Sequence, residues 1–150
     1  MKLVVQRVKK AKVTLRQAQG KPDRVVGQIE KGLFVLVGFK KGDTEKEVEL
    51  LADKLSKLRV MSDDQDKMNL SVNDVKGKIL VVSQFTLYAD TKSGNRPSFI
   101  NAEEPEKAKK LYELFIAKLK EKNIEIETGS FGDYMEIETV LDGPVTILYE

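Results

Sequence analysis

The chain has 150 residues, of which 41% are hydrophobic and 33% charged, with a net charge of only +2. This excludes a disordered chain and a dedicated polyanion binder, and it suits one domain spanning residues 1–150. The absence of histidine and cysteine excludes a Ser-His-Asp triad, a disulfide framework and the commonest zinc ligands.

No apolar run approaches the ~20 residues that cross a bilayer. The start, Met1-Lys2-Leu3-Val4-Val5-Gln6-Arg7-Val8, alternates like a strand and lacks the apolar stretch of an export signal. A cytoplasmic protein without membrane contact is expected. No tight acidic constellation stands out, so no metal is expected.

The elements follow from the apolar period. Leu3–Val8 and Lys12–Arg16 read as two alternating strands. Gly20-Lys21-Pro22-Asp23 is a turn, Val25–Ile29 a short strand, and Leu33–Val37 an apolar strand covered on both faces. Thr44 and Glu47 make a capping box. Val48, Leu51, Ala52, Leu55 and Leu58 then recur at helical spacing, which predicts a helix over 44–58. A short strand at Arg59–Met61 and a polar loop over 62–67 precede the central strand Ile79–Val82. A long loop from Tyr88 to about Glu103 has the length of a functional loop. Pro105 suits the first turn of a second helix, whose apolar stripe is Ala108, Leu111, Tyr112, Phe115 and Leu119, with Asn123 as terminator. Strands resume at Ile124–Glu127, Met135–Val140 and Val145–Tyr149, the last two interrupted by Gly143-Pro144. The expected class is α+β: a mainly antiparallel, curved or barrel-like sheet with two amphipathic helices packed outside.

Four segments carry chemistry. Ser83-Gln84-Phe85-Thr86 ends a buried strand, where adjacent backbone N–H groups can form an oxyanion hole; the alternative is an ordinary strand edge. Gly143-Pro144 marks an edge, a bulge or a plain hairpin, and its peptide bond is free to be cis at a cost of about 0.5–1 kcal/mol. Gly94-Asn95-Arg96-Pro97-Ser98-Phe99 is placed to order a loop beside a pocket, with Arg96 toward a phosphate, the alternative being a plain turn. Phe131 and Met135 are placed to flank a nucleobase, the alternative being one core residue and one surface aromatic.

Taken together, these segments resemble the D-aminoacyl-tRNA deacylase (D-tyrosyl-tRNA deacylase) family. The matching words are Val4-Val5-Gln6-Arg7-Val8, Gly42-Asp43-Thr44, Met68-Asn69-Leu70-Ser71-Val72, Val82-Ser83-Gln84-Phe85-Thr86-Leu87, Asn95-Arg96-Pro97-Ser98-Phe99, Thr128-Gly129 with Phe131-Gly132, and Asp142-Gly143-Pro144-Val145-Thr146. The resemblance implies a homodimer of barrel-like subunits with the active site at their interface. It implies hydrolysis of the ester joining a D-amino acid to the 3′-terminal adenosine of tRNA, with glycyl-tRNA as a second candidate substrate and no cofactor. Ser83 and Gln84 would line the substrate site, and the backbone amides at Phe85 and Thr86 would face the ester carbonyl. Thr86 matches a suspected nucleophile, although the tRNA's own 2′-hydroxyl is the alternative source of the chemistry. Gly143 and Pro144 match a Gly-cisPro pair that enters the partner's pocket and excludes L-amino acids. Phe131 and Met135 match positions that hold the adenosine.

The chain departs from the family pattern at Gly132-Asp133-Tyr134-Met135, where Gly-Ala-Asp-Met is usual, at Leu141 in place of Asn, and at the extra Ser93. Two rival readings accompany this one. A non-catalytic nucleic-acid-binding β domain is suggested by pI ≈ 8.6, the lysine clusters Lys9-Lys10-Ala11-Lys12 and Lys107, Lys109 and Lys110, and Phe131 as a stacking residue. A small-ester hydrolase would use Ser83 or Thr86 as nucleophile with a lysine base.

Overall fold

The computed structural model describes residues 1–150. Its organising element is one long strand, β1 (Lys2–Leu15), where the sequence suggested two separate ones. Lys9 and Lys10 interrupt the alternation, but the backbone stays paired through them. Val8 faces Leu141 and Lys10 faces Val140 on the last strand, so Lys9 is a bulged residue. The bulge changes which side chains point inward. Val8 and Ala11 lie in the same apolar cluster although they are three positions apart, an odd offset that regular alternation would place on opposite faces.

β2 (Arg24–Ile29) and β3 (Gly32–Gly38) pair antiparallel with successive parts of β1. α1 (Glu45–Ser56) follows, then a small hairpin of β4 (Met61–Ser62) and β5 (Met68–Leu70). β5 was not foreseen, because Met68 and Asn69 are exposed and leave no burial pattern to read. β6 (Lys78–Ser83) pairs parallel with β3, and after α2 (Pro105–Lys120), β7 (Glu125–Thr128) pairs parallel with β6. These two parallel pairs are joined through helical crossovers, as parallel strands require. The other three pairings of the main sheet, all made by β1, are antiparallel. β7 returns to β2: Gly27 lies so near the Thr128 carbonyl that a Cβ would overlap it. This approach nearly closes the sheet into a barrel.

Both faces of the central strands are buried, as the continuous apolar runs predict. Leu33, Val35, Val37, Ile79 and Val81 face the helices, packing with Val48, Leu51, Leu55, Leu111, Phe115 and Leu119. Phe34, Leu80 and Val82 face the other way, with Val8, Val13 and Ile29. The capping box forms: the Thr44 backbone N–H donates to Glu47 at 2.7 Å, and the Lys46 N–H donates to the Thr44 hydroxyl at 3.3 Å. Hydrogen bonding from the Thr44 hydroxyl, then from its backbone, lowers the Glu47 pKa from 4.5 to about 2.

β8 (Met135–Tyr149) is also one strand, which rules out the plain hairpin reading of Gly143-Pro144. Gln6 pairs with Thr146 and Val8 with Leu141, so Asp142–Val145 bulge opposite Arg7 alone. Gly143 has φ +128° and its peptide bond to Pro144 is cis. A proline with no N–H is accommodated where the ladder is already broken.

Candidate active site

β6 lies between two parallel partners, and its C-terminal end delivers the SQFT segment. The Gln84 N–H donates to the Val37 carbonyl at 2.7 Å, prolonging the β3 ladder by one residue. Then the backbone turns: Phe85–Tyr88 is a short 3₁₀ helix and not a strand edge. Leu87 N–H closes on the Gln84 carbonyl at 3.2 Å and Ala89 N–H on that of Thr86 at 3.0 Å. The first N–H groups of such a turn have no acceptor within it. Those of Phe85 and Thr86 have none elsewhere in the chain either, and both residues are exposed. Two neighbouring backbone donors are thus left free at the end of a rigid central strand, an arrangement suited to an oxygen that gains negative charge.

This turn opens on a cavity of about 680 Å³. Ser83, Gln84, Phe85, Phe131 and Met135 all line it, so the fold brings together five of the residues singled out in the sequence. Thr86 is one position beyond the lining residue Phe85. Phe131 is half-buried against Tyr112, with ring centroids 5.6 Å apart. The Met135 sulfur accepts the Ser130 N–H at 3.2 Å, which ties the start of β8 to the loop carrying Phe131. Tyr112 donates its hydroxyl to the Val81 carbonyl at 3.0 Å. Burial pushes its pKa up, so it remains a neutral donor.

No basic group contacts Thr86. Its hydroxyl accepts from the Gln84 carboxamide, Nε2 to Oγ1, an interaction that orients the oxygen without removing its proton. The charged residues lining the cavity are otherwise engaged. Lys41 pairs with Glu104 at 3.7 Å, Glu103 with Lys107 at 2.8 Å, and Asp133 bonds to Ser130. The Lys107 ammonium, then the Glu104 N–H, hold the Glu103 carboxyl below its usual range. No three carboxylates converge as a set of metal ligands.

Gly143 and Pro144 do not line this cavity within one chain. They stand on the β8 bulge, braced by Arg7. Its Nε donates to the Asp142 carbonyl at 3.0 Å and its Nη1 to the Val60 carbonyl at 2.7 Å.

Comparison with known proteins decides the family. The profile described as D-Tyr-tRNA(Tyr) deacylase matches residues 4–150. The chain belongs to the D-Tyr-tRNA(Tyr) deacylase family. It is 51% identical to the D-aminoacyl-tRNA deacylase of Brevibacillus brevis, over 100% of this chain and 99% of that protein. It is also 51% identical to that of Aquifex aeolicus, over 100% and 97%. Among solved structures it resembles the c-Myc DNA Unwinding Element Binding Protein, with TM-score 0.88, 40% identity and coverage of 100% and 98%. A probable eukaryotic D-amino acid tRNA deacylase shares the fold, with TM-score 0.81 at 14% identity and coverage of 99% and 97%.

In this member of the deacylase family, the SQFTL word is the 3₁₀ turn at the cavity, and the late Gly-Pro pair is the bulge over Arg7. The roles of two contributors were not legible in the sequence. Arg7 looked like an outward residue of an alternating strand. Tyr112 was one more member of an apolar stripe, and its hydroxyl was the only sign of a second role. Phe99, named in the sequence only as part of the Asn95–Phe99 turn, proves to meet the Phe85 ring edge-on at 5.0 Å.

Proposed function

We propose that this protein hydrolyses the ester bond of D-aminoacyl-tRNA, releasing free D-amino acid and tRNA, and so removes wrong-handed residues before translation uses them. The observation that carries this reading is the pair of unpartnered N–H groups at Phe85 and Thr86 beside an aromatic-lined cavity. In the proposed reaction the ester carbonyl oxygen sits on those two donors. Water adds to the carbonyl carbon, and the tetrahedral oxyanion is stabilised by the two N–H groups. The C–O bond to the adenosine then breaks, and the 3′-oxygen leaves with a proton. The adjacent 2′-hydroxyl of the substrate is the proton relay, since no base on the chain reaches Thr86. Phe131 and Met135 hold the adenine, and Ser83 and Gln84 position the ester.

The proposed working form is a homodimer of one-domain subunits, residues 1–150, acting in the cytoplasm. No helix is long and apolar enough to cross a membrane. Support for the dimer comes from β8, whose Ile137, Val140, Leu141 and Leu148 are exposed apolar residues on a single strand. In the dimer, Gly143 and Pro144 of one subunit enter the other's cavity and occupy the space an L side chain requires.

Incubation with D-tyrosyl-tRNA and L-tyrosyl-tRNA tests the reading. Release of D-tyrosine well above the uncatalysed rate, with L-tyrosyl-tRNA spared, is expected. Tight, salt-sensitive tRNA binding without turnover would instead establish the non-catalytic binding domain.

A further inference from the structure

The rim of the cavity carries three exposed aromatic rings, and they are not equivalent. Phe85 and Phe99 cover one another, edge against face, with centroids 5.0 Å apart and planes at 68°. Tyr134 stands apart and is 71% exposed. Its hydroxyl has no partner in the chain. Arg16 lies over its ring, with the guanidinium carbon 5.6 Å from the centroid. The placement is built from the backbone up. The Arg16 N–H donates to the Tyr134 carbonyl at 3.3 Å, and the Arg16 guanidinium is held by Glu136 at 3.3 Å. Tyr134 follows a turn in which the Asp133 N–H bonds to the Ser130 carbonyl and Gly132 takes φ +81°. Phe131 and Tyr134 therefore leave one short loop toward the same cavity, the first half-buried against Tyr112 and the second out at the mouth.

An exposed aromatic ring backed by a guanidinium is a stacking surface for a nucleobase, and the cation strengthens it. The charge beside it complements a phosphate. We infer that Tyr134, backed by Arg16, is a platform for the nucleotide that precedes the terminal adenosine of the tRNA 3′ end. This rests on the proposed deacylase function, which places the terminal adenosine on Phe131. A single strand whose last base lies there must pass over the rim, and Tyr134 is the rim aromatic not already covered by another ring. Single-stranded ends are gripped in this way, base by base on aromatic side chains.

The test compares two substrates: D-tyrosyl-tRNA, which has the preceding nucleotide, and D-tyrosyl-adenosine, which lacks it. Tyr134→Ala should raise KM for D-tyrosyl-tRNA by roughly 5-fold to 150-fold, the range for loss of one stacked base. KM for D-tyrosyl-adenosine and kcat for both should stay as in the unmodified protein. Tyr134→Phe should restore tRNA binding. Arg16→Gln should flatten the dependence of log affinity on log salt by about 0.7, one phosphate contact on a single strand. Equal losses on both substrates would overturn the proposal by moving Tyr134 into the adenosine site. A halved mass of Tyr134→Ala in sedimentation would overturn it by making the ring a subunit contact. If the unmodified protein cleaves neither substrate, the deacylase reading falls and the platform with it. Cleavage of both, with no effect of Tyr134→Ala, sinks the platform alone.

Discussion

Arg7 and Asp142 are far apart in sequence, yet the Arg7 Nε donates to the Asp142 carbonyl at 3.0 Å while its Nη1 donates to the Val60 carbonyl at 2.7 Å. One planar side chain, only 11% exposed, thus ties the β8 bulge to the segment entering β4. The same guanidinium lies 3.4 Å from the Asp142 carboxylate. A fork with several fixed donors can satisfy these acceptors together, whereas an ammonium acts as a point charge.

Replacing Arg7 by Ala is therefore expected to destabilise the fold by about 1–3 kcal/mol, since two part-buried carbonyls lose a charged donor. Arg7→Lys should recover little of this. Urea unfolding of the three proteins checks the order. In the tyrosyl-tRNA assay both variants should cleave L-tyrosyl-tRNA faster relative to D-tyrosyl-tRNA, because the bulge loses its brace. Unchanged stability and unchanged D-to-L ratio would show that Arg7 is a bystander.

Gly143 gives a second approach to the bulge. Its φ of +128° is one that L side chains rarely adopt, and an added Cβ would lie 3.0 Å from the Val145 nitrogen and 3.2 Å from the Arg7 Nη2. Gly143→Ala should cost about 1–3 kcal/mol, the usual penalty for a side chain in a sparsely populated backbone region. It should also loosen stereoselectivity while leaving kcat for the D substrate within about threefold, if the bulge excludes and does not react. Thermal unfolding together with the two-substrate assay measures both effects.

Thr86→Ala separates the two chemical readings. With its hydroxyl merely oriented by Gln84, loss of the side chain should lower the single-turnover rate by no more than about tenfold. A covalent nucleophile would show a drop of several orders of magnitude with substrate binding intact. That result would also require a base, and no basic group on this chain contacts Thr86.

The capping box at α1 predicts a stability change with pH. The Glu47 pKa is lowered from 4.5 to about 2, so the folded protein binds fewer protons than the unfolded chain between those values. The contribution is fully present above about 4.5 and is lost as pH falls toward about 2. Glu47→Gln removes this titration. The melting temperatures of the two proteins should differ most above pH 5 and converge on acidification. A gap independent of pH would mean that the carboxylate charge contributes nothing to the cap.

Much of this was readable because burial writes a period into the sequence. Leu33–Val37 and Ile79–Val82 are buried on both faces and read as unbroken apolar runs. Thr44, Glu47 and Pro105 announce their helices by side-chain chemistry that acts within a few residues. The misreadings have one physical origin. At Lys9 and at Asp142–Val145 the pattern breaks while the pairing continues, because a bulge is defined by the partner strand, which local sequence cannot contain. The same holds for the site. Ser83–Thr86 could be read as a strand end, but the 3₁₀ turn that frees two N–H groups depends on how the chain leaves β3's edge. Arg7 acts through partners brought to it only by the finished sheet.

The register of β1 against β8 also governs when the molecule can be completed. Leu3 pairs with Tyr149 and Leu15 with Met135, so β1 is matched along its length by β8, distant from it in sequence. While a ribosome is still extending the chain, one edge of β1 has no neighbour and the bulge over Arg7 does not exist. Such end-to-end pairing carries a long loop-closure cost and makes assembly slow. The bulge over Arg7 is therefore among the last features of the fold to be completed.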